Sequence, residues 1–122
     1  MRPLFALLIL SLGSATAASG MLTPQELATA LKHKSFTLIN VHVPFEGAIP
    51  GTNAFIPFDA IKGSALLPRN HAAQIVLYCR SGRMSAIARA TLKTLGYSNV
   101  RELQGGFDAW KQAGFPLILT QR

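Results

Sequence analysis

With one cysteine in 122 residues, Cys79, the chain cannot close an internal disulfide, which excludes a disulfide-stapled scaffold. No apolar run approaches the roughly 20 residues that a membrane-spanning helix needs, so a permanent membrane anchor is not expected. Acidic residues are also scarce: five Asp and Glu stand against twelve Lys and Arg, for a formal charge of +7 at pH 7. The basic residues are scattered, with no aromatic-interleaved cluster or basic stripe, which argues against a nucleic-acid partner. His33, His42 and His71 share no ligand-pair spacing, so neither a metal nor a metal site is expected. No internal repeat or low-complexity stretch is visible.

What is present begins with a leader pattern. Arg2 supplies a short positive start, Leu4 to Leu12 a compact apolar stretch, and Ser14 to Ser19 the small residues that a signal peptidase accepts. We expect a cleavable signal peptide over residues 1–18, cut near Ala17 or Ala18, and a single domain over residues 19–122. Export to a bacterial periplasm, or secretion, follows. No cysteine stands directly after the apolar stretch, which argues against a lipid-anchored form. Loss of Arg2 with the leader lowers the formal charge to +6, a balance that aids solubility and draws anionic substrates.

The domain opens on a helix start, with Thr23 as cap, Pro24 at the first helical position and Glu26 completing a capping box. Leu27, Ala30 and Leu31 form its apolar stripe. Phe36 to Val41 reads as a buried strand, His42 to Thr52 as a loop, and Phe55 to Phe58 as a short strand. Gln74 to Tyr78 is the central apolar strand. Ser85 to Leu95 reads as a helix with Ile87, Ala88, Thr91, Leu92 and Leu95 on one face and Gly96 at its C-terminal cap. Val100 to Leu103 is another strand, Gly105-Gly106 a turn, and Phe107 to Ala113 a last helix. Phe107 and Trp110 are expected in the core, and His71 in solvent. Strands alternating with helices predict an α/β domain with a small, parallel-rich sheet covered on both faces.

Cys79 stands where the central strand meets the loop Cys79-Arg80-Ser81-Gly82-Arg83-Met84-Ser85. In parallel sheets ligands sit at the carboxyl ends of strands. A thiol there meets the amides and positive end of the following helix, and two arginines add charge, so an anion such as a thiolate is stabilised. Gly82 permits sharp backbone angles. Arg83 suits anion recognition, and Arg80 is open between that role and an ordinary surface charge. Ser81 and Ser85 could donate to the sulfur or cap the helix, with the cap favoured for Ser85; Met84 is expected as a pocket wall. The thiol is expected at the surface of its loop, contributing little packing.

Ile49-Pro50-Gly51-Thr52, the strand and loop Val76 to Ser85, Leu95-Gly96-Tyr97-Ser98-Asn99-Val100, Leu103-Gln104-Gly105-Gly106-Phe107-Asp108-Ala109-Trp110 and Gly114-Phe115-Pro116 occur in that order. Together they resemble a single-domain rhodanese, the thiosulfate:sulfurtransferase-like family, over about Leu22 to Leu117. The resemblance implies a central, mostly parallel five-stranded sheet flanked by helices and a catalytic Cys79 that becomes a persulfide. Cys79 would take sulfane sulfur from thiosulfate or a related anionic donor and pass it to cyanide, a thiol or a protein acceptor. Arg80, Ser81, Gly82, Arg83, Met84 and Ser85 would line the substrate site, with no cofactor. The loop would wrap the sulfur with its N–H groups aimed inward.

Alternatives remain: a rhodanese-like sulfur carrier or interaction module without turnover, and a phosphatase or arsenate reductase. The last is disfavoured, because those relatives place an arginine six positions after the cysteine, where this chain has Ser85. The chain also departs from the family pattern at Asn40, His42 and Ala48, where Asp, Arg and His are usual; this bears on acceptor preference. Asn40 can still hydrogen-bond without charge.

Overall fold

The computed structural model of the protein describes residues 20–121; the leader expected over residues 1–18 lies outside them. Five strands, β1 (Met21–Leu22), β2 (Thr37–Asn40), β3 (Ala54–Phe55), β4 (Ile75–Tyr78) and β5 (Val100–Leu103), form one sheet in the order β1-β5-β4-β2-β3. Every pairing is parallel. Helix α1 (Pro24–Leu31) links β1 to β2, α2 (Arg83–Thr94) links β4 to β5, α3 (Gly106–Gln112) follows β5, and a 3-10 turn lies at Phe58–Ala60.

All four residues of β4 are buried, as an unbroken apolar run in a doubly covered parallel sheet should be. Side chains alternate along it. Ile75 and Leu77 pack with Ala88 and Leu92 of α2. Val76 and Tyr78 point the other way, among Leu27 of α1 and Phe107 and Trp110 of α3. Cys79 continues the first set and joins the core beneath α2.

The expected helix ends are present. Glu26 N donates to Thr23 Oγ1 at 3.1 Å and Thr23 N to Glu26 Oε1 at 2.9 Å, closing the capping box. Gly96, at φ +97°, ends α2: its N donates to Lys93 O and Tyr97 N to Leu92 O, the paired bonds of a Schellman motif. His71 is exposed, as expected, and stacks on Tyr97 at 4.2 Å.

Three readings need correction, and one strand goes unread. Helix α2 begins at Arg83 rather than Ser85, because Gly82, at φ 126°, already turns the chain into it. Ile87 is 41% exposed, on the solvent edge of a face whose buried residues are Ala88 and Leu92. The strand expected at Phe55–Phe58 is Ala54–Phe55, after which Pro57, lacking an N–H, gives way to the 3-10 turn. Strand β1, two residues long, is too short to leave a periodic signal; it pairs with the edge of β5.

Tyr78 ties the loop after β2 to the central strand. Ile49 N donates to its hydroxyl at 3.0 Å, and Thr52 Oγ1, which donates to Ile49 O at 2.6 Å, accepts the Tyr78 proton at 2.7 Å. This knot accounts for Ile49 to Thr52 as a motif. Burial pushes the Tyr78 hydroxyl above its ordinary value of 10.0, against the opposing hydrogen bonds to Thr52 and Ile49. The folded state therefore keeps a proton that the unfolded chain releases, so stability is complete below that ordinary value and declines as pH rises beyond it. Tyr78→Phe strands the Ile49 amide and should cost about 1–3 kcal/mol at neutral pH. In urea melts across alkaline pH, the variant should lose stability less steeply than wild type.

Candidate active site

Cys79 is the first residue beyond the carboxyl end of β4, between β5 and β2. Its loop is held by carbonyls. Phe107 N donates to Cys79 O at 2.9 Å and Asp108 N to Arg80 O at 3.0 Å, both from the first turn of α3. This close approach requires Gly106: a Cβ there would lie 2.4 Å from the carbonyl oxygens of both Cys79 and Arg80, and φ is +61°. Gly82 N donates to Cys79 Sγ at 3.0 Å. The amides of Arg80, Ser81, Arg83, Met84 and Ser85 have no partner among the described residues, which leaves them available to an anion in the loop.

The thiol is not at the surface. Cys79 is 2% exposed and packs with Leu77, Ala88 and Leu92, because strand alternation carries it beneath α2. It therefore contributes to the core, contrary to the expectation of a loosely packed loop residue. Nor is Ser85 a cap: it is the third residue of α2, fully buried, and the cap position belongs to Gly82. Ser85 Oγ lies 3.7 Å from Cys79 Sγ, 3.1 Å from Gly82 O and 2.8 Å from Glu102 Oε1. Glu102, 6% exposed, also accepts from Arg89 Nη1 through Oε2 at 3.4 Å.

The remaining loop residues separate by environment. Arg80 is 57% exposed and faces two carboxylates, Glu46 at 3.6 Å and Asp108 at 3.5 Å. Arg83 is exposed and forms no ion pair among the described residues. Ser81 is exposed, and Met84 is half-buried against the core under α2, consistent with a wall.

The departures at Asn40 and His42 form a chain of contacts leading to this loop. Asn40 Nδ2 donates to Gly47 O and its Oδ1 accepts from His42 N, both at 3.0 Å; one neutral amide does both. His42 Nε2 lies 3.0 Å from Glu46 Oε1, and its ring meets the edge of Phe107 at 5.4 Å. Glu46 then reaches Arg80. Ala48 instead bridges to Ile118. Sequence reasoning missed Glu102 and this link through Glu46. The signal for Glu102 was an acid inside a strand of a covered sheet, where an ionised group is rarely placed without a partner.

With this geometry, the chain belongs to the rhodanese-like domain family, whose model matches residues 23–113. It is 30% identical over 112 residues to an uncharacterized protein of Synechocystis, spanning 90% of this chain and 62% of that one. It is 39% identical over 104 residues to the probable adenylyltransferase/sulfurtransferase MoeZ of Mycobacterium tuberculosis, spanning 80% of this chain and 26% of MoeZ. The chain thus corresponds to less than two thirds of the length of either relative. The crystal structure of a rhodanese-related protein from Thermoplasma volcanium superposes with TM-score 0.69 at 27% identity, covering 82% of this chain and 98% of the other.

Gly106→Ala tests the carbonyl anchor. The added Cβ must displace two backbone carbonyls, and we expect a loss of about 2 kcal/mol or more, read as a lowered Tm by calorimetry.

Proposed function

We propose that this domain is a sulfurtransferase that carries sulfane sulfur on Cys79. The observation carrying this reading is the Cys79–Ser85 loop itself: a lone thiol touched by Gly82 N–H and followed by amides with no protein partner. Membership of the rhodanese-like family supports it. Cys79, as thiolate, attacks the outer sulfur of thiosulfate or a related donor, and sulfite departs with the electron pair of the broken S–S bond. The terminal sulfur of the persulfide then passes to a thiol, cyanide or a protein acceptor. Exposed Arg83 meets the anionic donor, while Gly82 and the free amides of Arg80, Ser81, Met84 and Ser85 solvate charge in the loop. The leader expected over residues 1–18 would deliver the domain to the periplasm or outside the cell.

One observation favours a second reading. A sulfur only 2% exposed suits a carrier that holds a persulfide for one partner and turns over poorly with free acceptors. The phosphatase reading loses ground: the position six residues after the cysteine holds a buried serine bonded to a carboxylate, and no guanidinium stands there to clamp a phosphate.

Mature protein incubated with thiosulfate should gain the mass of one sulfur atom, and Cys79→Ser should not. No adduct with any sulfane donor defeats both readings, and a stable adduct with negligible turnover selects the carrier. Arg83→Ala should slow loading about tenfold, with discharge of preloaded sulfur slowed less than about twofold in rapid-mixing experiments.

A further inference from the structure

Attack by Cys79 requires its thiol proton to leave, and a carboxylate, Glu102, is buried one side chain away from the nucleophile. Glu102 sits inside β5, between Val100 in the core under α2 and Leu103 in the opposite core. Alternation turns it toward α2, where Ser85 separates it from Cys79. The hydroxyl has one proton and two acceptors in reach, Glu102 Oε1 at 2.8 Å and Gly82 O at 3.1 Å. The carboxylate is both nearer and charged, so it takes the proton. A lone pair of Ser85 Oγ is then left toward Cys79 Sγ at 3.7 Å. The three groups form a directed chain: thiol to hydroxyl to carboxylate.

We propose that Glu102 is a positioning residue that acts through Ser85 as the depot for the Cys79 proton. As the thiol ionises, its proton passes to Ser85 Oγ and the Ser85 proton passes to Glu102 Oε1. The sulfur electron pair so released forms the bond to the outer sulfur of the donor, and the donor's S–S bond breaks with its pair leaving on sulfite. Sulfane sulfur moves without an oxidant or reductant. When an acceptor removes that sulfur, Cys79 departs as thiolate and the relay runs backwards. Arg89 on α2 is the charged group on the other oxygen of Glu102. The residues in register with Glu102 on the flanking strands, Leu77 and Met21, carry no titratable group. Arg80 and Arg83 flank Cys79 within its loop. The role in sulfur loading rests on the sulfurtransferase reading, whereas the proton transfer itself does not.

Because Cys79 is the only cysteine, alkylation by iodoacetamide reports it alone and needs no sulfur donor. In wild type the thiolate formed by internal transfer carries the same proton count as the resting pair, so the alkylation rate should flatten toward acidic pH. In Glu102→Gln the side chain keeps its shape but takes no proton, and the rate should fall about tenfold per pH unit. On the acidic limb the variant should be at least about tenfold slower than wild type, and on the alkaline limb equal or faster. Ser85→Ala should show the same profile, and the double variant should be no slower than either single one. A merely structural Glu102 would lower the rate by one factor at every pH; parallel profiles overturn the relay, as does a wild-type thiol that stays unreactive at all pH. If Glu102→Gln does not fold, Ser85→Ala, a substitution favourable within a helix, decides alone. The predicted profiles in a protein that forms no sulfur adduct would defeat the sulfurtransferase reading and leave the relay standing.

Discussion

The loop that bears Cys79 is organised by two hydrogen bonds to its carbonyls. The Phe107 and Asp108 amides take the oxygens of Cys79 and Arg80, and Gly106 lets α3 come close enough to do so. Peptide planarity does the rest. In a trans peptide the N–H opposes the preceding C=O, so turning those oxygens toward α3 turns the Arg80 and Ser81 amides away from it. No protein group takes these amides among the described residues. A helix that follows α2 and β5 in sequence thus makes an anion-ready surface out of a strand end, and the glycine pair after β5 belongs to the site as much as the cysteine does.

Much of this was legible in the chain, for physical reasons particular to each part. The capping box at Thr23, the glycine ending α2 and the apolar run of β4 are local signals, set by hydrogen bonds or burial within a few residues, and the structure shows all three. The order of motifs from Ile49 to Pro116 carries the family resemblance, and that resemblance implies the parallel five-stranded sheet that the structure shows. What could not be read was three-dimensional neighbourhood. Cys79 looked like a loop residue because a loop follows it, yet the alternation of β4 extends one residue further and buries it. Ser85 looked like a cap by residue type, whereas its partner is Glu102, seventeen residues later on another strand. Nothing local to either residue encodes that pairing.

The scarcity of acids sharpens the electrostatics. Of five Asp and Glu residues, Glu26 closes a capping box, Glu46 and Asp108 meet Arg80, and Glu102 meets Arg89. The Arg80 pairs are long and half-exposed, so each contributes little stability. Their effect is positional: two carboxylates, one from the loop after β2 and one from α3, hold the guanidinium between them. Asn40 and His42 hold Glu46 in reach of it, so residues that depart from the family pattern still converge on the loop. Arg83 has no such partner and stays available to an incoming anion.

Enclosure of the sulfur bears on what can react there. The thiol is 2% exposed, with Gly82 N–H and Ser85 Oγ against it, so little room is left around the sulfur for a bulky tetrahedral group. A sulfane donor presents its reacting sulfur at the end of an S–S bond, with the oxyanion one bond behind. On the proposed reading the oxyanion would stay at the loop mouth, where Arg83 is exposed, while only the outer sulfur would descend. A phosphoryl donor must bring its central atom, ringed by oxygens, to the same depth, and would meet buried Ser85 and Glu102 instead of a cation. On the proposed sulfurtransferase reading one atom would enter, and the carboxylate behind Ser85 would hold the proton that the thiol gives up.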